Sequence, residues 1–302
     1  MSSDSGAGRR DQVRSGGPFQ RILAATDFSQ AAGSALDYAH ALAKQFQAKL
    51  YLVHIVPNEL YFVPPESSGD TVAKAKQYAQ KGLQELAPSA GLGDVAHQKI
   101  HGEEQVWPAL QEIIQSEQID LVVVGTHGRT SNKKLALGSV AEEIFRMADC
   151  AVLTVGRQAK VAKGATAEFR KLLYATNFKP HAERASSAAY FLEREHAAQL
   201  SVRHVVEDAN EGSPEANTIL RDFLVNRMRK TMPAACLNRC EPDFLIRFGE
   251  PGEEMLKTAT ECGANLIVLG LRPPEKLGGY LLSAVAYRIA CRASCPVLTL
   301  RR

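Results

Sequence analysis

Cysteine is scarce in this chain. Six residues in 302 are too few to staple the fold as a disulfide framework, so the expected compartment is a reducing cytoplasm. Cys236 and Cys240, like Cys291 and Cys295, fall four apart, a spacing that could seat two metal ligands on one helix face. Cys295 precedes Pro296 and no clustered histidine completes either pair, so both read as structural thiols. Net charge is scarce as well. A formal +3 gives no argument for nucleic acid or anionic lipid as a partner. No apolar run approaches the roughly 18 residues that a membrane helix needs. The opening MSSDSGAGRRDQVRSGG lacks the apolar segment of a secretory signal, and residues 1–19 read as a disordered tail. The phosphate loop G-x-x-x-x-G-K-[ST] is missing, which argues against a P-loop NTPase. So is the G-x-S-x-G elbow, which argues against an α/β-hydrolase. GLGDVA (91–96) formally fits G-x-G-x-x-A, but it precedes a strand and reads as a loop.

What is present is an ordinary globular composition, 45% apolar and 23% charged, at a length for about two domains of roughly 150 residues. The chain repeats itself. RILAATDFS (21–29) returns as KLLYATNFK (171–179), AKLYLVHIV (48–56) as AQLSVRHVV (198–206), and CAVLTV (150–155) as CPVLTL (295–300). The matches keep their order, so two copies of one domain are expected. They span 20–156 and 170–302, joined by a small basic connector at 157–169.

Within the first copy, aliphatic runs at 21–26, 49–55, 97–101, 120–124 and 151–155 alternate with amphipathic stretches at 29–46, 70–87, 104–117 and 139–148. This pattern implies an open, parallel, five-stranded α/β sheet with helices on both faces. Its ligand site belongs beyond the carboxyl ends of the strands, where strand order reverses. The third strand ends in His101 and Gly102, not in the aspartate a response-regulator receiver would need. His54 and His204 recur at equivalent strand ends and read as packing residues.

At that carboxyl edge stands GTHGRTSNKKLALGSV (125–140). Gly125 and Gly128 suit a tight turn and a close approach of backbone to a ligand. Gly138 and Ser139 open a helix, whose free N–H groups favour phosphate. Arg129, Lys133 and Lys134 could meet phosphate oxygens or form a solvated loop; His127 could touch ligand but has no partner to make it a base. Asp27 follows the first strand. It could bind a ribose hydroxyl or a metal-bound water, or cap the helix that starts near Ser29. Asp120, at the other end of its strand, is given no ligand role.

ATDFS, LVHIV and G-x2-G-x9-G-S strongly resemble the ATP-binding branch of the universal stress protein family, over nearly all of both copies. The resemblance implies a tandem member with two Rossmann-like domains of the adenine nucleotide alpha hydrolase type. It places Ala25, Thr26 and Asp27 beside the nucleoside, Ile55 against adenine, and Val124 and Gly125 along the ribose. His127 and Arg129 fall in the loop, while Gly128, Gly138, Ser139 and Val140 would hold phosphates. Ala25 stands where ATP-binding relatives often carry proline. The implied cofactor is ATP, with Mg²⁺ or Mn²⁺ reached by Asp27 through water. The implied role is regulatory, in stress response or signalling, with at most slow hydrolysis; an ATPase or phosphotransferase and a nucleotide-independent scaffold are the alternatives. The terminal strands 151–155 and 296–300 are expected to pair, within the chain as a pseudo-dimer or between chains as a homodimer.

The second copy departs from the first at the ligand positions. Residues 121–155 and 266–300 align without gaps at 12 identities in 35, among them Val140/Val285, Ile144/Ile289 and Val152/Val297. Gly128 becomes Pro273, Gly138 becomes Ser283, Ser139 becomes Ala284 and Asp27 becomes Asn177. Proline has no N–H to offer and fixes φ. One ATP per chain, in the first copy, is the expectation. Gly125 alone of the glycine frame persists, as Gly270.

Overall fold

β1 (Arg21–Ala25) shows how the sheet is built: Ile22 and Ala24 pack into one apolar cluster and Leu23 into another. A strand alternates its side chains between faces, so burial on both sides demands a layer of helices above and below. The computed structural model describes residues 18–56, 65–102, 105–126, 136–159, 161, 165–207, 214–272 and 284–301. After β1 come α1 (Gln30–Phe46), β2 (Lys49–Ile55), α2 (Pro65–Ser89), β3 (His97–Gly102), α3 (Val106–Ser116), β4 (Leu121–Gly125), α4 (Ser139–Met147) and β5 (Ala151–Val155). The second copy follows with β6 (Lys171–Ala175), α5 (Ala182–His196), β7 (Gln199–Val206), α6 (Pro214–Thr231), α7 (Ala234–Arg239), β8 (Asp243–Phe248), α8 (Pro251–Cys262), β9 (Leu266–Leu271), α9 (Ala284–Arg292) and β10 (Val297–Arg301). The strands and helices expected in the first copy are all present, α2 being longer than the pattern 70–87 suggests.

The strands form one sheet in the order β3-β2-β1-β4-β5-β10-β9-β6-β7-β8. Each copy is parallel within itself. The two expected five-stranded sheets are therefore fused, because β5 and β10 pair antiparallel, with Val297 opposite Thr154 and Thr299 opposite Val152. The Thr154 hydroxyl donates to the Val297 carbonyl at 3.3 Å, and the Thr299 hydroxyl to that of Val152 at 3.2 Å. Of the two pairings expected for these strands, the chain makes the internal one. Each occupies the other's open edge, so neither is left for a second chain.

Two boundary expectations need adjusting. Phe19 was assigned to the tail, yet it is buried with its ring edge-on to Phe46 at 5.9 Å; the core begins ahead of residue 20. The connector is likewise not a bare tether. Its Phe169 is 3% exposed, stacks parallel to Tyr38 of α1 at 6.3 Å, and meets His196 of α5 at 5.1 Å. It forms part of the seam between the copies.

At the amino end of the sheet, Asp120 accepts from the backbone N–H of Gln20 at 2.8 Å and of Arg21 at 3.2 Å. Burial raises the pKa of its carboxyl even so. Asp120 thus fixes where β1 begins, a structural task consistent with its exclusion from the ligand site.

Candidate functional site

Strand order reverses between β1 and β4: β1 continues to β2 on one side, and β4 lies on the other. The carboxyl ends of β1, β2 and β4 converge there, at the position where open α/β sheets bind ligands. The turn leaving β1 is built by its own side chains. Phe28 N–H donates to the Thr26 hydroxyl oxygen at 3.0 Å, Ser29 N–H to the Asp27 carboxylate at 2.9 Å, and Ala32 N–H to the Ser29 hydroxyl oxygen at 3.2 Å. The helix cap is thus Ser29, and Asp27 serves the turn one step earlier. Phe28 sits at φ 61°, in the left-handed region. Its ring lies 4.4 Å from that of His54 and edge-on to Tyr78 at 5.8 Å. His54 Nδ1 is 2.7 Å from the Thr26 carbonyl. A carbonyl only accepts, so Nδ1 carries the proton and holds the turn to β2.

These segments enclose a cavity of about 420 Å³, within the range of small-molecule sites, about 300–1,000 Å³. Ala25, Thr26, Asp27, Ile55, Val124, Gly125, Gly138, Ser139 and Val140 all line it. Nine residues selected from sequence therefore share one wall. His127, Gly128, Arg129, Lys133 and Lys134 lie outside the described residues, as do Pro273 and Ser283 in the second copy. Its lining is of two kinds: Val53, Ile55, Val56, Val106 and Leu110 are aliphatic, whereas Gly125, Gly138 and Ser139 bring backbone and a hydroxyl.

Gly138 and Ser139 stand at the start of α4. Gly138 is the N-cap residue, with φ −63° and ψ 155°, and has no side chain of its own to cap the helix. The first intrahelical bond runs from Glu142 N–H to the Gly138 carbonyl at 2.8 Å, while Gly138 N–H donates to the Thr126 carbonyl at 2.8 Å. The backbone N–H groups of Ser139, Val140 and Ala141 thus precede the helical ladder, and the helix dipole adds partial positive charge. Free N–H groups of this kind favour an anion.

Gly125 has another reason to be glycine. A Cβ there would lie 2.6 Å from the carbonyl oxygen of Ala31 and 2.7 Å from its carbon. The start of α1 presses directly on the end of β4. Packing alone is thus sufficient to require glycine here, and Gly125 lines the cavity as well. Gly270 repeats it: a Cβ would lie 2.4 Å from the His181 oxygen and 2.9 Å from its carbon. The one glycine that survives in the second copy is the one the fold itself needs.

The second copy keeps the turn. Phe178 N–H donates to the Thr176 hydroxyl oxygen and Lys179 N–H to the Asn177 side-chain oxygen, both at 3.2 Å, with Phe178 at φ 59°. His204 Nδ1 meets the Thr176 carbonyl at 2.8 Å, and burial pushes its pKa down. Asn177 therefore does the conformational work of Asp27 without its charge. Where Tyr78 flanks Phe28, the Arg227 guanidinium covers Phe178 at 4.5 Å.

His54 was read as packing alone, and it also lines the cavity. Sequence reasoning missed the helical wall: Ala75 and Tyr78 from α2, Val106 and Leu110 from α3. Tyr78 is 55% exposed, an aromatic on a mostly polar helix. That contrast was its one available signal. Among the described residues no group of three His, Cys, Asp or Glu side chains could hold a metal, and no helix is long and apolar enough to cross a membrane.

A family model described as "Universal stress protein family" matches twice, over residues 18–156 and 168–301. The chain belongs to that family. It carries two universal stress protein domains in tandem, and both matched ranges begin just ahead of a first strand. A universal stress protein of Methanocaldococcus jannaschii is 31% identical over 147 residues, 47% of this chain and 85% of that protein. A relative of the same family name from Staphylococcus haemolyticus is 32% identical over 162 residues, 51% of this chain and 96% of its own. The crystal structure of a universal stress protein from Archaeoglobus fulgidus is similar across both domains. It has a TM-score of 0.68 at 20% identity, covering 93% of this chain and 98% of that one, and it attests the tandem fold.

Proposed function

We propose that the first domain binds ATP as a regulatory ligand and that the second does not. The observation carrying this reading is the cavity itself, at the strand ends, lined both by aliphatic side chains and by the glycine-capped N-terminus of a helix. A purine is a flat, largely apolar ring that gains by leaving water, and a polyphosphate is the anion that free helix N–H groups accept. The aliphatic lining of Val53, Ile55, Val106 and Leu110 suits the base. Asp27, which lines the same cavity, suits a ribose hydroxyl or a water of a bound Mg²⁺ or Mn²⁺.

Regulation is favoured over turnover on chemical grounds. Holding phosphates in ground and transition states alike does not accelerate their transfer. Among the described residues His54 is the imidazole that lines the cavity, and it spends its Nδ1 proton on the Thr26 carbonyl. A role in stress response follows from family membership and is part of the same proposal.

The test is nucleotide stoichiometry: denature the purified chain, quantify released adenine nucleotide, and titrate ATP with and without Mg²⁺ into protein that emerges empty. One ATP per chain is expected. Two per chain would overturn the asymmetry. None under any condition would leave an interaction scaffold.

A further inference from the structure

Among the described residues, a side chain of the second domain reaches back to the start of α4. Tyr287, on α9, accepts a hydrogen bond from the backbone N–H of Leu137 at 3.4 Å and donates one to Glu142 Oε2 at 3.3 Å. Its ring stands edge-on to Phe145 of α4 at 6.1 Å. Leu137 immediately precedes the Gly138 cap, and Glu142 lies in the first turn of α4. Tyr287 therefore grips both sides of the three N–H groups that face the cavity.

The Glu142 carboxylate is the unfavourable charge here. It sits within one turn of the place where a phosphate would enter, and two anions so close repel. Both its oxygens are engaged, Oε1 by Arg146 at 3.2 Å and Oε2 by Tyr287, which draws the charge toward α9 and away from the helix start. In the gapless alignment of the two copies, Tyr287 is the counterpart of Glu142 itself. Two identical copies packed this way would set glutamate against glutamate. The second copy supplies a hydroxyl instead.

We infer that Tyr287 is a positioning residue for the nucleotide site: the second domain braces the α4 N-terminus and sequesters Glu142, so that a domain without its own ligand sets phosphate affinity in its neighbour. This rests on the ATP reading of the site. The brace acts at the start of α4 only, leaving the aliphatic lining untouched, and that asymmetry makes it testable.

The experiment compares Tyr287→Phe with wild type in the full chain, by calorimetric titration of ATP and, separately, of adenosine. Hydrogen exchange over residues 136–142 is measured alongside in ligand-free protein. Phenylalanine keeps the ring on Phe145 and removes only the hydroxyl. The expected result is an ATP Kd raised about three- to tenfold, the range for one lost hydrogen bond. Adenosine binding should stay within twofold, and exchange at Leu137 should be faster. A merely structural role would weaken both ligands alike, and that outcome overturns the inference. So does unchanged ATP affinity in a variant whose wild type binds. A wild type that binds no ATP removes the reading of the site, and the inference with it.

Discussion

Replacing Gly270 by alanine separates what the fold needs from what a ligand needs. The residue lies in β9, and its φ is not in the left-handed region, so alanine is conformationally acceptable and the whole effect is steric. The new methyl would sit 2.4 Å from the His181 oxygen, 2.9 Å from its carbon and 3.0 Å from the Ala182 Cα, roughly 1 Å inside ordinary contact. All three are backbone atoms, so no rotamer change relieves the clash and the start of α5 must move. Overpacking of this kind costs about 1–3 kcal/mol, and a rigid neighbour argues for the upper end. Against it stands the gain of about 0.4–1 kcal/mol from a less flexible unfolded chain. The net expectation is a loss of about 2 kcal/mol in urea unfolding, or a Tm lower by about 4–8 °C, with ATP affinity in the first domain within twofold of wild type. Gly125→Ala should cost a similar amount. A Gly270→Ala protein as stable as wild type would refute the packing account of the retained glycine.

The other expectations are shorter. Asp27→Asn should leave stability within about 0.5 kcal/mol, since Asn177 makes the same turn. It should weaken ATP in the presence of Mg²⁺ more than in its absence, as parallel titrations would show; equal affinity in both would remove Asp27 from the metal reading. Asp120→Ala strands the N–H groups of Gln20 and Arg21 and should cost about 1–3 kcal/mol in denaturant unfolding. A smaller loss would mean that water takes over both bonds. Burial lowers the pKa of His181, His196 and His204 below the ordinary 6.5. The unfolded chain then takes up protons before the folded one does. Stability should be complete above about pH 6.5 and decline as pH falls from there toward the folded values; a flat urea midpoint between pH 7.5 and 5.5 would contradict this.

The elements were legible in the sequence because burial on both faces writes near-continuous aliphatic runs such as LVVV (121–124), and because the repeat supplied each run twice. The fusion of the sheets was half-legible. Val152, Leu153 and Thr154 announce an edge that must be covered, but their partner across the chain could equally have been another molecule. At the site, Ala25, Thr26, Ile55, Val124 and Val140 rested on the family resemblance, while Asp27, Gly125, Gly138 and Ser139 were found by position at strand ends and a helix start. The wall from α2 and α3 was not, since Ala75, Val106 and Leu110 look like any apolar helix face until the crossing of that helix over the strand ends is known. For Gly125, packing against Ala31 is a second reason that the string does not show. A glycine demanded by Ala31 and one demanded by a phosphate are indistinguishable in a string.

The two copies resolve that ambiguity, because they share a fold and differ at the site. What both retain, the fold requires: Gly125 and Gly270 under a helix start, Thr26 and Thr176 in the turn, His54 and His204 tying that turn to the second strand. What only the first retains is a carboxylate at position 27, a glycine at 138 and a hydroxyl at 139. None of these is needed for the backbone to take its path, since Gly138 has a φ open to any residue and Asn177 closes the turn as well as Asp27 does. Three features dispensable to the fold line one cavity, and the proposed ligand would account for them together. A scaffold reading must treat them as three separate coincidences.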